Sequence, residues 1–349
     1  MTDADRPADR TGPPVAAVVL NWNQAGLTLD CLAALRRSAR PVDHLVVVDN
    51  GSRPDQRAAL AAGLPAAARL VRLPANRGFA GGMNAGLAEA GRLGAEYAWL
   101  VNNDAFPDPG CLGLLLAAMD ADPTLAAVTP RLVGTDGREQ PAGGRWLPSE
   151  GRTEFLMADQ MATPVGGDGY WAVGTAPLVR VGPCARAGGF DDRFFAYGEE
   201  VDLCLRLGRQ GYRFRAVPDA TAVHLGQGSS ADGTTAGGSP FADYLGVRNL
   251  FQQVHRHPPP RHRRQLVLRM AAKHLDNAGC FQLRGQSAKA TATVQGLLAV
   301  LLGESGSPRW YGRGNRVAGF VARHPWLLIR LLDRLGQSAS AGRATGGGR

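Results

Sequence analysis

No apolar run in this chain approaches the ~18 residues that a membrane-spanning helix needs. The longest candidates, Gly296–Leu302 and Trp326–Leu332, are short. The opening residues, MTDADRPADRTGPP, lack the apolar core of a secretory signal peptide, and residues 1–13 read as a disordered leader. Cysteine is scarce: Cys31, Cys111, Cys184, Cys204 and Cys280 are scattered, odd in number and never in a CxxC pair. That argues against a disulfide framework or a zinc site and fits a reducing cytosol. The 46 Gly and 23 Pro follow no three-residue period, which excludes collagen. The basic residues are not interleaved with aromatics and no nucleic-acid motif is present, so no nucleic-acid partner is expected.

What is present is the balance of an ordinary globular protein. Hydrophobic residues make up 44% and charged residues 20% of 349 positions, enough for one large domain or two modest ones. Charge is unevenly divided. The chain holds 39 basic and 30 acidic residues, a net +9. Residues 246–349 carry 17 basic against 3 acidic side chains, a net +14, whereas residues 1–245 carry 22 against 27, a net −5. A basic region of this kind suits anionic lipid or a phosphorylated substrate.

From Val15 onward, short apolar runs alternate with helical patterns. Runs at Val15–Leu20, Leu45–Val48, Leu70–Leu73 and Tyr97–Val101 each end in polar residues: Asn21 and Asn23, Asp49 and Asn50, Asn76 and Arg77, and Asn102-Asn103-Asp104. Apolar strands alternating with helices predict a mostly parallel α/β sheet, and ligands bind such sheets beyond the carboxyl ends of the strands. Gly134–Asp168 reads as loop with a β-hairpin, Leu178–Val181 as a strand, and Val201–Gln210 as a helix. Strand-like Phe214–Val217 and Ala222–His224 follow. Gly226–Ser239 is of low complexity and is expected to be mobile. Beyond it, helices are predicted at Tyr244–His255, Arg264–Asn277, Ala290–Leu302 and Pro325–Leu335, the last with Leu327, Leu328, Leu331, Leu332 and Leu335 on one face, which either lies against anionic lipid or packs Leu327, Leu328, Leu331 and Leu332 into the core.

Several stretches carry chemistry. Asp104, after a buried strand and beside Asn102 and Asn103, suits a hard divalent cation that also holds phosphates; Asn, Asp and Pro107 also suit a plain turn. Asp49 is either a helix cap or a carboxylate accepting from a ring N–H of uracil, thymine or guanine. In Asn76–Asn84, the glycines, among them Gly78 and Gly82, let backbone approach a ligand, and Arg77 adds a fixed cation. The stretch is neither GxGxxG after a first strand nor GxxxxGK[ST], which argues against a dinucleotide site and a P-loop. Glu199 and Glu200 follow an aromatic patch that includes Tyr197 and open a helix; one can serve as a general base, and both satisfy the helix N-terminus. Asp202 and Arg206 stand at i, i+4 as a structural ion pair, and His224 follows a short strand.

Taken together and in this order, Val18–Asn23, Val48–Ser52, Asn76–Asn84, Asn102–Asp104 and Gly189–Arg206 with Pro218 and His224 resemble glycosyltransferase family 2, the inverting transferases of the GT-A fold, and its rhamnosyltransferase-like subgroup. The resemblance covers about residues 15–230. It implies an α/β GT-A fold, Rossmann-like, with a mostly parallel sheet flanked by helices. The catalytic domain is then residues 14–245, followed by a basic helical region at 246–335 and a disordered tail at 336–349. It implies that Asp104, with His224, holds Mg²⁺ or Mn²⁺ on the donor diphosphate. Asn21, Asn23, Asp49, Asn50, Arg77, Gly78, Gly82, Asn84, Asn102 and Asn103 then line the nucleotide-sugar site. Glu200 is the catalytic base, with Glu199 and Tyr197 on the acceptor side. Asn102 stands where the family has a first carboxylate, and Glu200 where Asp is commoner.

The activity so implied is metal-dependent single displacement of a sugar from a UDP- or dTDP-linked donor, rhamnose among the candidates, to a lipid-linked, saccharide or small-molecule hydroxyl. The expected location is cytoplasmic, with peripheral contact at the inner face of an anionic membrane. Two alternatives stand beside it: a sugar-binding scaffold of an envelope-assembly complex, and a sugar nucleotidyltransferase.

Overall fold

A computed structural model describes residues 12–167, 169–226, 238–259, 261–313, 315–330 and 332. The expected leader and tail, and most of Gly226–Ser239, lie outside the described residues. Strand and helix alternate through β1 (Val15–Asn21), α1 (Ala25–Arg36), β2 (His44–Asp49), α2 (Pro54–Gly63), β3 (Ala68–Arg72), α3 (Gly78–Arg92) and β4 (Tyr97–Asn102). The chain continues with β5 (Ala105–Pro107), α4 (Cys111–Ala121), β6 (Leu125–Val133) and β7 (Glu139–Gln140). Next come β8 (Gly143–Leu147), β9 (Arg152–Leu156), β10 (Val165–Gly166), β11 (Tyr170–Ala172) and β12 (Leu178–Arg180). Then follow α5 (Val181–Arg186), α6 (Glu199–Arg209) and β13 (Arg213–His224). The helices α7 (Pro240–Arg256), α8 (Arg263–Leu283), α9 (Ser287–Leu301) and α10 (Asn315–Arg323) follow, and the described residues 326–330 are helical again.

The main sheet runs β10-β13-β6-β12-β4-β1-β2-β3, with β5 on β13 and β7 on β6. Strands β3, β2, β1 and β4 are parallel, and β12 runs antiparallel between β4 and β6. The pleat sends successive side chains of the central strands to opposite faces. Val18, Val46, Val48 and Leu100 join the core under α3, α6 and α7, while Val15, Ala17, Val19, Val47 and Trp99 join the core under α1 and α4. This burial on both sides is why these runs are apolar throughout rather than alternating.

Three differences from the sequence reading have local causes. The sequence reading places no strand at β6, whose apolar pattern Pro130 interrupts; Pro130 pairs on the β13 side and on the other stands between Ala127–Val128, which pair with β12, and Leu132–Val133, which pair with β7. The two runs at 214–217 and 222–224 are one strand, β13, with a register shift between Val217 and Thr221 beside Pro218. The charge step at residue 245 falls inside α7, whose Val247, Phe251 and Val254 belong to the main core, so the start of the basic region is built into the catalytic body. The helix starts there because Ser239 accepts from Ala242 N and Pro240 occupies the first turn. Further on, the expected helix from Pro325 is present over its described residues 326–330, with Leu327 and Leu328 exposed and Ile329 and Leu332 packed on the bundle of α8, α9 and α10. Leu331 and Leu335 lie outside the described residues.

Candidate active site

The carboxyl ends of β1, β2 and β4, the start of α3 and the start of α6 surround a cleft of about 530 Å³. Its lining includes Trp22, Asn50, Gly78, Phe79, Asn102, Asn103, Asp104, Thr175, Tyr197, Glu199, Glu200 and His224.

Strand pairing makes one corner of the cleft. Antiparallel register between β5 and β13 sets Ala105 opposite His224, and Leu225 N donates to the Asp104 carbonyl. Asp104 Oδ1 thereby lies 3.4 Å from His224 Nε2. Both carboxylate oxygens of Asp104 are buried and accept no hydrogen bond among the described residues. On the other side of the imidazole, His224 Nδ1 meets Gln140 Oε1 at 2.7 Å, and Gln140 Nε2 donates to the His224 carbonyl at 3.2 Å. The amide oxygen of Gln140 can only accept, so Nδ1 carries a proton and Nε2 is the ring nitrogen turned to the Asp104 carboxylate. With a divalent cation between them, Nε2 would supply a lone pair and Asp104 a carboxylate oxygen. Among the described residues no group of three or more His, Cys, Asp and Glu could hold a metal. Two protein ligands with the rest supplied by phosphate and water is the habit of Mg²⁺ and Mn²⁺ at nucleotide sites. Asn102 Oδ1, also buried without a partner, lines the same cleft.

The segment Phe194–Gly198 and the first turn of α6 make the opposite wall. Phe195 and Tyr197 both adopt left-handed backbone, φ +66° and +69°. Such strain persists where surrounding contacts over-determine it. Here Asn249 Nδ2 on α7 donates to the carbonyls of Phe194, Ala196 and Tyr197 at 2.6–2.9 Å. Arg248 Nη2 donates to Phe194 O at 2.7 Å and its Nη1 pairs with Glu304 Oε1 at 3.0 Å. Gly78 meets the same segment from α3: a Cβ there would stand 2.2 Å from Phe195 O, and its φ is +71°. Ala80 N donates to Phe195 O. The loop delivers two adjacent carboxyls. Glu199 is buried with Oε2 unpartnered among the described residues, and Glu200 Oε2 accepts from Gly198 N at 3.1 Å. Burial pushes both carboxyls above the ordinary glutamate range, Glu199 well above it with the Glu200 charge adding to the push.

One turn further, Asp202 does a different job. Its buried carboxylate receives Arg206 Nε at 2.8 Å, Arg256 Nε at 2.6 Å and His257 Nε2 at 2.8 Å, which ties α6 to α7. Burial opposes the charge, yet His257 and the two guanidinium groups hold this carboxyl far below its usual range. The expected Asp202–Arg206 pair is thus present within a larger cluster.

A profile of the family described as Glycosyl transferase family 2 matches residues 16–173. The galactofuranosyltransferase GlfT1 of Mycolicibacterium smegmatis is 32% identical over 218 residues, covering 60% of this chain and 70% of that protein. The N-acetylglucosaminyl-diphospho-decaprenol L-rhamnosyltransferase of Mycobacterium tuberculosis H37Rv is 29% identical over 211 residues, covering 53% and 67%. The chain belongs to glycosyltransferase family 2. Within it, the chain is rhamnosyltransferase-like, as the relatives' names indicate. Among solved structures, the Pyrobaculum calidifontis mannosyltransferase PcManGT, in complex with GDP-Man and Mn²⁺, aligns with a TM-score of 0.50 at 18% identity, covering 99% of this chain and 91% of that one. GalNAc-T7 with UDP, GalNAc and Mn²⁺ aligns with a TM-score of 0.52 at 13% identity, covering 71% and 48%. These neighbours share the GT-A fold.

The residues of this glycosyltransferase that the sequence singles out divide into two sets. Asn50, Gly78, Asn102, Asn103, Asp104, Tyr197, Glu199, Glu200 and His224 line the cleft. Asn21, Asn23, Asp49, Arg77, Gly82 and Asn84 stand off its lining and build what carries it. Asn21 Nδ2 and Asn23 N both donate to Ser52 Oγ, and Asn21 Oδ1 accepts from Thr28. Asp49 Oδ1 accepts from Ser52 N, and Arg57 Nε stands 3.1 Å from its Oδ2. Together they fix the turn that presents Asn50. Gly82 lets α3 approach Leu20 and Asn50, where a Cβ would meet Leu20 Cδ1 at 2.4 Å. Arg77 Nη2 pairs with Asp192 Oδ2 at 2.6 Å, and Asn84 Nδ2 donates to Asp192 Oδ1 and Phe190 O. They bind α3 to the segment before the loop that delivers Glu199 and Glu200. Sequence reasoning missed Gln140, Thr175, Arg248 and Asn249, and the aromatic lining Trp22, Phe79 and Phe241.

Proposed function

We propose that this glycosyltransferase moves a sugar from a nucleotide-diphosphate donor, UDP- or dTDP-linked, to an acceptor hydroxyl by a single displacement that inverts the anomeric carbon. The observation that carries this reading is one cleft in which the Asp104–His224 corner faces a loop bearing a desolvated carboxyl pair. Glu200 takes the proton of the acceptor hydroxyl. The acceptor oxygen bonds to the anomeric carbon as the bond to the diphosphate oxygen breaks, and the nucleoside diphosphate leaves. A raised carboxyl suits this role because its conjugate base is stronger near neutral pH. Asp104 and His224 would hold Mg²⁺ or Mn²⁺, which supplies positive charge against the departing diphosphate. Asn50 and the Asn76–Gly78 turn shape the donor side, and Tyr197 and Glu199 the acceptor side.

The relative named for a decaprenol-linked acceptor favours a lipid-linked acceptor here, and with it peripheral contact with an anionic membrane from the cytoplasmic side. No helix among the described residues is long and apolar enough to cross a membrane. The test is transfer from a panel of UDP- and dTDP-sugars to a short-chain polyprenyl-diphosphate saccharide. Glu200→Gln is expected to keep donor affinity and lose transfer by at least about 10²-fold, with Glu199→Gln far milder. Equal losses, or a larger loss at Glu199, reverse the assignment of the base.

A further inference from the structure

The core of the α8, α9 and α10 bundle holds Ala278, Ala290, Ala318 and Ala322 with Leu275 and Val294, and Phe281, Leu297, Leu298, Val321, Ile329 and Leu332 pack partly buried against it. A second set of large apolar side chains points outward. On α10, Ala318 and Ala322 are buried while Val317 and Phe320 are 61% and 51% exposed. Just after α10, Trp326 is 51% exposed, and Leu327 and Leu328 beside it are exposed as well. Pro325 seats this stretch against α8, 3.0 Å from where a Gly279 Cβ would stand, so α10 and the stretch after it flank the same end of the bundle. A monomer burying its alanines and exposing Phe, Trp and Leu gives up apolar burial that a partner can recover.

Charge names the partner. Between Arg263 and Arg330 the sequence holds eleven Lys and Arg against two acidic residues, Asp276 and Glu304. Glu304 is already engaged inside, by Arg248 and Tyr244. Arg316 and Arg323 on α10 and Arg330 after it are exposed, and none of the three forms an ion pair among the described residues. The Arg330 guanidinium lies 5.5 Å over the Trp326 ring, keeping a cation at the rim of the apolar patch. Exposed aromatic and aliphatic side chains ringed by unpaired arginines match the boundary of an anionic bilayer, where rings and alkyl groups enter between head groups and cations meet phosphates.

We infer that the outer face of α10 and of the helical stretch beginning at Trp326 is a membrane-docking surface that seats on anionic lipid through Phe320 and Trp326 inserted and Arg316, Arg323 and Arg330 at the phosphates. This deepens the peripheral contact of the proposed function, and it depends on neither donor nor base assignment. It places the enzyme at the surface where a lipid-linked acceptor is found.

The experiment is sedimentation of the full-length protein with vesicles of phosphatidylcholine alone or with 30% phosphatidylglycerol, at 50 and 500 mM NaCl. Binding to anionic vesicles only, falling at least tenfold at high salt, is expected. Phe320→Ser with Trp326→Ser, and separately Arg316→Gln with Arg323→Gln and Arg330→Gln, should each lower binding at least tenfold. The arginine variant should keep the wild-type unfolding midpoint, and the Phe320/Trp326 variant should remain folded with a small decrease, since those two side chains are half exposed. Failure of wild type to bind anionic vesicles at 50 mM NaCl overturns the inference. So does wild-type binding by both variants, or a concentration-dependent dimer that the Phe320/Trp326 variant abolishes, which makes a second copy the occupant. Transfer to a water-soluble acceptor analogue, measured in parallel, reports on the catalytic reading alone.

Discussion

His224 Nε2 stands 3.4 Å from Asp104 Oδ1 across the β5–β13 pairing, with Gln140 fixing the far side of the imidazole. The two atoms of the proposed cation site come from positions 120 residues apart, and a third residue with no charge decides which ring nitrogen faces the carboxylate. Gln140→Ala is therefore expected to weaken Mn²⁺ binding in the presence of UDP or dTDP by about 10–100-fold, the usual effect of removing a residue that orients a metal ligand. Titration calorimetry with Mn²⁺ checks it. Affinity equal to wild type would mean that His224 is not a ligand or is held by other contacts.

The buried Glu199–Glu200 pair makes stability depend on pH. Burial raises both carboxyls above the ordinary value of 4.5, so the folded pair retains protons that the unfolded chain has released. Their contribution is most favourable below 4.5 and is lost as pH rises through the raised values. Glu199→Gln removes one desolvated charge and should raise the unfolding midpoint at pH 8 more than at pH 5. Parallel shifts at the two pH values would contradict the direction assigned here.

Asn249 holds three carbonyls of the loop that aims the pair. Asn249→Asp replaces the donor with an acceptor at the same size and sets it against those carbonyl oxygens. The left-handed Phe195 and Tyr197, each costing about 1–3 kcal/mol, then lose what holds them. The expected result is a fall of about 10²-fold in kcat with little change in donor KM, together with faster amide exchange over residues 194–198 and unchanged exchange in α8. A KM effect without a kcat effect would count against positioning of the base.

Glu304 pairs with Arg248, and both side chains are almost wholly buried. Glu304→Ala leaves a guanidinium without its counter-charge, a change that costs about 3–5 kcal/mol. Urea unfolding should show that loss, with Glu304→Gln milder because an amide oxygen still accepts. A loss below about 1 kcal/mol would place the pair among weak surface bridges.

Much of this architecture is written locally. The strand ends at Asn21, Asp49 and Asn102 are legible because buried parallel strands are apolar throughout and stop at polar residues. Asp104, Glu199 and Glu200 stand out as carboxylates at such an end or at a helix start. What is not legible depends on distant pairing. Arg77 reads as ligand-lining from its Gly-rich turn and Asn84 from the family resemblance; that Asp192, more than a hundred residues away, engages both is not visible in either. Gln140 sits in a Gly- and Pro-rich stretch without periodic signal, and its meaning comes from β7 pairing with β6 beside β13. Asn249 looks like any polar residue on a helix until α7 is laid against the catalytic loop. Whether Leu327 and Leu328 pack inward or face out is not legible for a related reason: helical periodicity identifies an apolar face, not what covers it.

The account rests most heavily on the Asp104 corner, and one measurement reaches it directly. Thermal unfolding of wild type and Asp104→Ala is followed with a panel of UDP- and dTDP-sugars, each with and without Mn²⁺. A bound donor at a hundred times its dissociation constant stabilises the fold by about 2.7 kcal/mol. The account predicts that at least one donor raises the wild-type midpoint only when Mn²⁺ is present. It also predicts that Asp104→Ala, with an unliganded midpoint close to wild type, shows no Mn²⁺-dependent rise. A donor-induced rise that ignores Mn²⁺, or one that survives Asp104→Ala unchanged, would contradict it.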